Sequence, residues 1–118
     1  MNLSDLIRLK PKWLTSSIKY IKRGRNHFYI DDRNGVEYDE EEYRIVKPIA
    51  SARGMLFFVC PCCQRIHFVW IRDIIQKGDG YYHCMRNFRK KGFIEEFIIL
   101  DISGIDLKEE LRPKGKWC

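Results

Sequence analysis

The first quarter of the chain carries apolar residues at helical spacing. Three aliphatic residues fall at i, i+4 and i+7, namely Leu14, Ile18 and Ile21. Basic residues occupy the opposite side with the same period. Pro11 suits the first position of a helix, and Gly24 suits the residue after its end. The pattern predicts an amphipathic helix from Pro11 to about Arg23, preceded by a short helical turn at residues 5–9 that Ser4 would cap.

From residue 27 the period changes to two, which predicts antiparallel strands. Apolar and polar residues alternate on both sides of Asn34-Gly35, a pair that favours hairpin turns. Further strands are predicted at residues 43–49, 55–59, 66–71, 81–84 and 93–102. Residues 86–91 would form one helical turn, and Asp106 would cap a short helix over Leu107–Leu111. The predicted class is α+β: an N-terminal amphipathic helix, an antiparallel β-meander with an embedded hairpin, and a short C-terminal helix.

Composition indicates one domain with a real core. The chain has 118 residues, of which 45% are hydrophobic and 14% aromatic. We place the domain at residues 1–112, with a basic helical segment at 4–24, an acidic hairpin at 27–42 and a cysteine-bearing hairpin at 57–85. Residues 113–118 would be a mobile tail.

The cellular setting follows from what the chain lacks and from its cysteines. No run approaches the roughly 18 apolar residues that a membrane span needs, and the first residues carry no apolar segment. Five cysteines, three of them within four residues, are a poor disulfide framework and suit a metal-binding turn that is kept reduced. We therefore expect a soluble, cytoplasmic protein that does not contact a membrane.

Charge is segregated along the chain. Net charge is +6, with a pI near 9.1. Residues 1–25 carry +6, residues 31–42 carry −6, and residues 43–118 carry +6. Such blocks suit a surface that binds a polyanion. The alternative is that the acidic segment folds back over the basic one and neutralises it.

The strongest chemical signal is the turn Cys60-Pro61-Cys62-Cys63. Two thiolates separated by two residues can bind one tetrahedral ion, and sites rich in thiolates prefer zinc. A further cysteine, Cys84, lies about twenty residues downstream. The pattern predicts a metal site whose protein ligands include Cys60, Cys63 and Cys84.

The segment from Cys60 to Cys84 resembles a zinc ribbon, in which two Cys-x-x-Cys turns, called knuckles, hold one zinc between them. Cys60 to Cys63 match the first knuckle, including its proline. In the second, Tyr81 stands where the family has a cysteine, and Gln64 replaces the glycine that usually follows the first knuckle. The resemblance implies a hairpin fold for this segment and a zinc ion, with one ligand still to be assigned.

Two histidines could supply the fourth ligand. His67 follows the first knuckle, and His83 directly precedes Cys84. Adjacent strand residues point to opposite sides, so His83 and Cys84 are less suited to one ion, whereas a histidine just past a knuckle can turn back to it. We favour His67 and keep His83 as the alternative. Three cysteines and a histidine would form a closed shell, which makes the zinc structural. Cys62 is expected to be a partly exposed thiol that does not bind the metal.

Catalytic patterns are missing from the sequence. A zinc deaminase would need His-x-Glu before Pro-Cys-x-x-Cys, but position 65 is arginine and no His-x-Glu occurs. No phosphate-binding glycine loop, Gly-x-Ser-x-Gly or His-Glu-x-x-His is present. A redox role for Cys60 and Cys63 is disfavoured because a strand hairpin gives no helix terminus to stabilise a thiolate. We expect a protein without enzymatic activity.

Two binding functions remain. The first is nucleic-acid binding, since aromatic residues alternate with cations around the metal segment. The residues expected to contact nucleic acid are Lys12, Lys19, Lys22, Arg23, Arg25, Arg65, Arg86, Arg89, Lys90 and Lys91. The second is a small adaptor or inhibitor, in the style of compact viral or mobile-element proteins, that binds a protein partner through its charged surfaces.

Overall fold

The structure, a computed structural model, describes residues 1–34, 43–78, 80–84 and 96–112. The predicted hairpin turn at Asn34-Gly35, the helical turn at 86–91 and the tail at 113–118 lie wholly or partly outside these residues. The elements are α1 (Leu3–Arg8), β1 (Trp13–Leu14), β2 (Ile18–Arg23), β3 (Asn26–Asp31), β4 (Arg44–Val46), β5 (Ala50–Ala52), β6 (Met55–Val59), β7 (Ile66–Trp70), α2 (Ile71–Lys77), β8 (Tyr81–Cys84), β9 (Glu96–Leu100) and α3 (Leu107–Leu111). None of these helices is long and apolar enough to cross a membrane.

The predicted α+β class is confirmed, with a helix at the N-terminus and a short one near the C-terminus. The first helix, α1, is capped by Asn2 rather than Ser4; the Asn2 side chain accepts a hydrogen bond from the Asp5 amide, and the Asp5 carboxylate accepts one from the Asn2 amide. The last helix, α3, is capped by Asp106 as predicted, and the Asp106 side chain accepts from the Glu109 amide.

The amphipathic helix predicted from Pro11 to Arg23 is wrong, because this segment forms β1 and β2. Strand β2 pairs along its whole length with β3 as an antiparallel hairpin. Gly24 does not end a helix but begins the two-residue turn between these strands, with φ of 60°. Residues 15–17 interrupt the helical period with three hydroxyl side chains, which favour turns, and the Thr15 amide donates to the Ile49 carbonyl instead.

Strand β6 lies at the centre of the molecule. The four-stranded sheet has the order β1-β5-β6-β7, all antiparallel, so β5, β6 and β7 form a meander. Strand β5 was not predicted, and the strand predicted at residues 43–49 is shortened to β4, which pairs with β9 instead of β6. Every residue from Leu56 to Cys60 is buried. Buried residues on both faces of one strand mean that β6 is covered from two sides.

The two faces of β6 belong to two hydrophobic clusters. Phe57 and Val59 pack with Leu6 of α1 and Tyr29 of β3. On the other face, Leu56, Phe58 and Cys60 pack with residues of α2, β4 and β9, namely Ile71, Ile74, Val46, Ile98 and Leu100. Because the side chains of β6 alternate between its two faces, this one strand packs against both the N-terminal half and the C-terminal half of the fold.

Helix α2 was not predicted. Ile71 was predicted as the last residue of a strand, with a loop after it. Residues 71–77 instead form a helix that buries Ile71 and Ile74. Gly78 ends α2 in the left-handed conformation, with φ of 83°. Because α2 intervenes, β8 does not return along β7; it pairs with β9, which also pairs in parallel with β4.

A buried ion pair fixes the end of the β2–β3 hairpin to the rest of the chain. The Asp31 side chain is buried and accepts hydrogen bonds from the Ser17 hydroxyl and the Arg33 guanidinium, which also donates to the Pro48 carbonyl. Burial acts to raise the pKa of Asp31, but its hydrogen bonds with Arg33 and Ser17 outweigh that effect and lower it.

We expect Asp31→Ala to lower the free energy of unfolding by about 1–3 kcal/mol, because Ser17 and Arg33 lose their hydrogen bonds to a buried carboxylate, while Arg33 keeps its bond to the Pro48 carbonyl. Chemical denaturation measures this. The neighbouring Asp32→Ala is the control: Asp32 is exposed, pairs with Lys19 at 3.4 Å, and should change stability by less than about 1 kcal/mol.

The Asp31 contribution also depends on pH. Since its pKa in the folded state lies below the unfolded value, the stabilisation is complete above the unfolded pKa and is lost as the pH falls through the folded one. The stability difference between the parent chain and Asp31→Ala should therefore shrink in acid. A difference that stays constant down to pH 2 would contradict this assignment.

Candidate metal centre

The cysteine turn connects β6 to β7. It is closed by two backbone hydrogen bonds, from the Gln64 amide to the Cys60 carbonyl and from the Cys60 amide to the Arg65 carbonyl. Gln64 has φ of 58°, in the left-handed region that glycine adopts most easily. Gln64 thus holds a conformation at this turn in which glycine would be less strained.

Three predicted ligands meet at this turn. Sulfur or nitrogen atoms of Cys60, Cys63 and His67 all lie within 4.8 Å of one another, and His67 Nε2 is 2.9 Å from Cys63 Sγ. Tetrahedral zinc, with bonds of about 2.0–2.3 Å, places its ligand atoms about 3.3–3.8 Å apart, so the Cys63 and His67 atoms must separate by a few tenths of an ångström and any wider pair must draw together. This group could hold a metal ion. None of Cys60, Cys62 and Cys63 forms a disulfide.

The position of His67 is set by the antiparallel pairing of β6 with β7. His67 lies opposite Phe58 in the β6–β7 register. The imidazole also packs against Tyr82 of β8, with ring centroids 5.1 Å apart and an interplanar angle of 31°. Tyr82 in turn contacts the ring of Phe58 at 5.1 Å. The histidine is therefore held between two aromatic side chains, one from each sheet.

The surroundings of Cys63 favour its thiolate. A hydrogen bond with Cys60 lowers the pKa of the Cys63 thiol, burial raises it, and the hydrogen bond and charge of His67 lower it further, to about 4. The Arg65 amide also donates to this sulfur. The thiolate is the form that binds a metal, so the turn is arranged for a cation before one arrives.

The remaining ligand candidates come from β8. The side chains of His83 and Cys84 lie outside the part of the chain that the structure describes. Their strand, β8, also carries Tyr82, whose ring packs against His67.

The structure gathers five of the cations predicted to bind nucleic acid. Lys19, Lys22, Arg23 and Arg25 are exposed along β2 and its turn. The fifth, Arg65, follows the cysteine turn, which we call the metal turn from here on. Its guanidinium lies over the ring of Phe28 in β3 at 4.7 Å from the centroid. Arg23 lies over the same ring at 6.0 Å. We call this group the hairpin surface.

The other predicted cations are elsewhere. Lys12 donates from its Nζ to the Glu109 carbonyl at 2.6 Å and is not part of the hairpin surface. Arg86, Arg89, Lys90 and Lys91 lie outside the described residues. The acidic block is also only partly described; Asp31 binds Arg33, and Asp32 pairs with Lys19.

The hairpin surface is attached to the metal turn. The Tyr29 amide donates to the Gln64 carbonyl at 2.8 Å, and the Arg65 guanidinium donates to Asn26 Oδ1 at 3.4 Å. Residues directly after Cys63 thus contact β3. Whatever orders the turn also orders strand β3 from its middle to the tip of the hairpin, where Asn26 lies.

A second group of cations was not predicted from the sequence. Lys10, Arg53 and Arg112 line a cavity together with Trp70. They come from four separate parts of the chain, and no spacing in the sequence relates them. Only the folded chain brings them together.

We expect Cys63→Ser to destabilise the fold and to remove most metal binding, because it deletes a thiolate at the centre of the group. Cys62→Ser is the matched control, since Cys62 is partly buried and lies outside the ligand group. Thermal unfolding and metal content by native mass spectrometry measure both effects. Equal damage by the two variants would show that the ligands are wrongly assigned.

Comparison with known proteins gives no relative to argue from: no protein-family model, no curated protein and no solved structure matches this chain.

Proposed function

We propose that this is a small zinc-stabilised nucleic-acid-binding protein whose hairpin surface contacts phosphates. The observation that carries the proposal is the exposure of Lys22, Arg23 and Arg25 at the tip of a two-stranded hairpin. None of the three has an acidic partner within the described residues. A two-stranded β-ribbon with basic side chains fits the major groove of a duplex.

The tip of the hairpin is open. A Cβ placed on Gly24 would meet no atom within 4 Å. The cations on either side of this glycine can therefore approach a large ligand without a clash. Binding of this kind releases counterions from the nucleic acid and weakens steeply with salt.

Exposed aromatic side chains add a second support. The core uses Tyr29, Phe57 and Phe58, yet Phe68 and Trp70 on β7 stay about 40% exposed each. Their rings meet edge to face at 5.5 Å. Exposed rings beside cations offer stacking surfaces for bases.

The metal in this proposal is zinc, with Cys60, Cys63, His67 and Cys84 as its four ligands. Thiolate and imidazole ligands at this spacing prefer zinc, and a closed shell leaves no position for a reactive water. The ion would be structural, and it would hold strand β3 of the hairpin through Gln64 and Arg65. We place the protein in the cytoplasm, where its thiols stay reduced.

The ligands beyond the turn can be tested directly. We expect Cys84→Ser to weaken zinc binding by at least about tenfold, measured by competition with a chromophoric chelator. The control is again Cys62→Ser, which should keep the parent affinity. Parent-like affinity in Cys84→Ser would contradict the assignment of Cys84, and parent-like affinity in His67→Ala with a loss in His83→Ala would make His83 the histidine ligand in place of His67.

Nucleic-acid binding is tested by titrating labelled duplex and single-stranded DNA and RNA over a salt series. The variant Lys22→Gln/Arg23→Gln/Arg25→Gln should lower affinity by at least about tenfold and reduce the salt slope by about two to three. The matched control, Arg8→Gln/Lys77→Gln/Lys108→Gln, removes the same charge from exposed helix positions and should have a much smaller effect.

Two outcomes contradict the proposal. One is no binding to any nucleic acid at low salt, which would leave a protein partner, the second hypothesis, as the function. The other is an equal loss in both triple variants, which would mean that net charge alone, not the hairpin surface, attracts the polyanion.

A further inference from the structure

A cavity of about 610 Å³ opens where four parts of the chain meet. These are the end of α1, the β5–β6 turn, the junction of β7 with α2, and the end of α3. The polar and aromatic side chains that line the cavity are Lys10, Lys12, Arg53, Trp70, Arg72 and Arg112. Its volume lies in the range of small-molecule sites.

The charge of this cavity is positive throughout. Five of its lining residues are cations, and none is acidic. Two are partly engaged: Lys12 donates to the Glu109 carbonyl, and Arg112 pairs with the Glu109 carboxylate at 3.5 Å. The other three cations have no ion pair within the part of the chain that the structure describes. Like charges gathered around one opening repel each other and favour an anionic ligand.

Two of these cations lie at positions with a positive φ angle. Lys10 has φ of 54° and Arg53 has φ of 52°, in the left-handed region that non-glycine residues rarely adopt. Among the described residues only Gln64, in the metal turn, shares this feature. Two of the three thus line one cavity. Both conformations have a local cause: Lys10 follows the C-cap of α1, and Arg53 opens the two-residue turn between β5 and β6, where positive φ is usual.

Hydrogen bonds hold both strained positions. The Lys10 amide donates to the Ile7 carbonyl at 3.0 Å, and the Ile71 amide donates to the Gly54 carbonyl, next to Arg53, at 2.9 Å. The backbone that carries the cations is therefore fixed. A fixed backbone limits the region that the Lys10 and Arg53 side chains can reach, which lowers the entropy cost of binding.

One wall is flat and apolar. The Trp70 indole is 40% exposed, and the Arg72 guanidinium lies over its ring at 5.4 Å from the centroid. Leu9 and Leu111 also line the cavity. A ligand that matches both this wall and the cations carries a planar ring and a phosphate.

We propose that this cavity binds a nucleoside phosphate, with the base against Trp70 and the phosphate among Lys10, Arg53 and Arg72. The nucleotide is either free or a single unpaired unit of a strand. The site shares no residue with the hairpin surface, so the proposal does not rest on the hairpin function.

Calorimetric titration of the full chain with AMP, GMP, adenosine and inorganic phosphate tests it. A mononucleotide should bind saturably, and at least about tenfold more tightly than adenosine or phosphate alone. The variant Arg53→Asn/Arg72→Gln should lose at least about tenfold in affinity; asparagine is chosen because it tolerates positive φ. The matched control, Lys77→Gln/Lys108→Gln, removes the same charge from exposed helix positions and should bind the mononucleotide like the parent.

A single-stranded hexanucleotide, titrated into the Lys22→Gln/Arg25→Gln variant, distinguishes a free nucleotide from a nucleotide unit of a strand as the ligand. Tighter binding of the hexanucleotide assigns the site to a strand, and tighter binding of the mononucleotide assigns it to a free nucleotide. The absence of saturable mononucleotide binding, phosphate binding as tight as nucleotide binding, or equal losses in the cavity variant and its matched control would each overturn the proposal.

These outcomes are separate from those of the hairpin proposal. Loss of duplex binding in the hairpin variants with intact mononucleotide binding would uphold both sites. Mononucleotide binding by a chain that binds no duplex or strand would sink only the hairpin function. Circular dichroism and thermal unfolding of each variant establish that it is folded.

Discussion

The burial of β6 on both faces is the constraint on which the rest of this structure depends. Phe57 and Phe58 point to opposite sides and are both inaccessible to solvent, so two clusters must form at once. Burying each ring contributes about 2–3 kcal/mol. Because Cys60 is the last buried residue in this run, the metal turn starts from a rigid position. The β6–β7 register then places His67 opposite Phe58 and within reach of Cys63.

The metal turn connects the core to a charged surface. Its first cysteine belongs to the core cluster, and the residue after its last ligand in the turn, Gln64, accepts from the Tyr29 amide. Arg65 reaches over Phe28. A cation bound at the turn would thus stabilise strand β3 of the hairpin as well as the turn.

The chain presents two distinct positive regions, and they differ in shape. The hairpin surface is convex and open around Gly24, which suits an extended polyanion. The cavity at Trp70 is concave and combines cations with an apolar wall, which suits a small ligand. Net charge alone does not distinguish the two regions. The fold decides which basic residues lie in each region.

Much of the fold was accessible from local patterns. The strands at Met55–Val59 and Tyr81–Cys84 were predicted with the bounds observed, because runs of β-branched and aromatic residues flanked by turn residues favour strands in almost any context. The helix α2 could have been found as well, from Ile71, Ile74 and Ile75 at helical spacing and Gly78 as its end. For the metal turn, the spacing of Cys60 and Cys63 and the nearby His67 were sufficient to name the three residues that the structure brings together.

Other features depended on partners that local patterns do not contain. Ile18 and Ile21 fit a helical period and a twisted strand equally well, and pairing with β3 decided between them. The cavity required Lys10, Arg53, Trp70 and Arg112 to converge from four elements. The sequence by itself determined the strand-rich character of the chain and the chemistry of its metal turn, because both follow from residues close together in the chain. Only the tertiary structure decided which strands pair and where the cations gather, because those outcomes depend on hydrogen bonds and burial between distant segments.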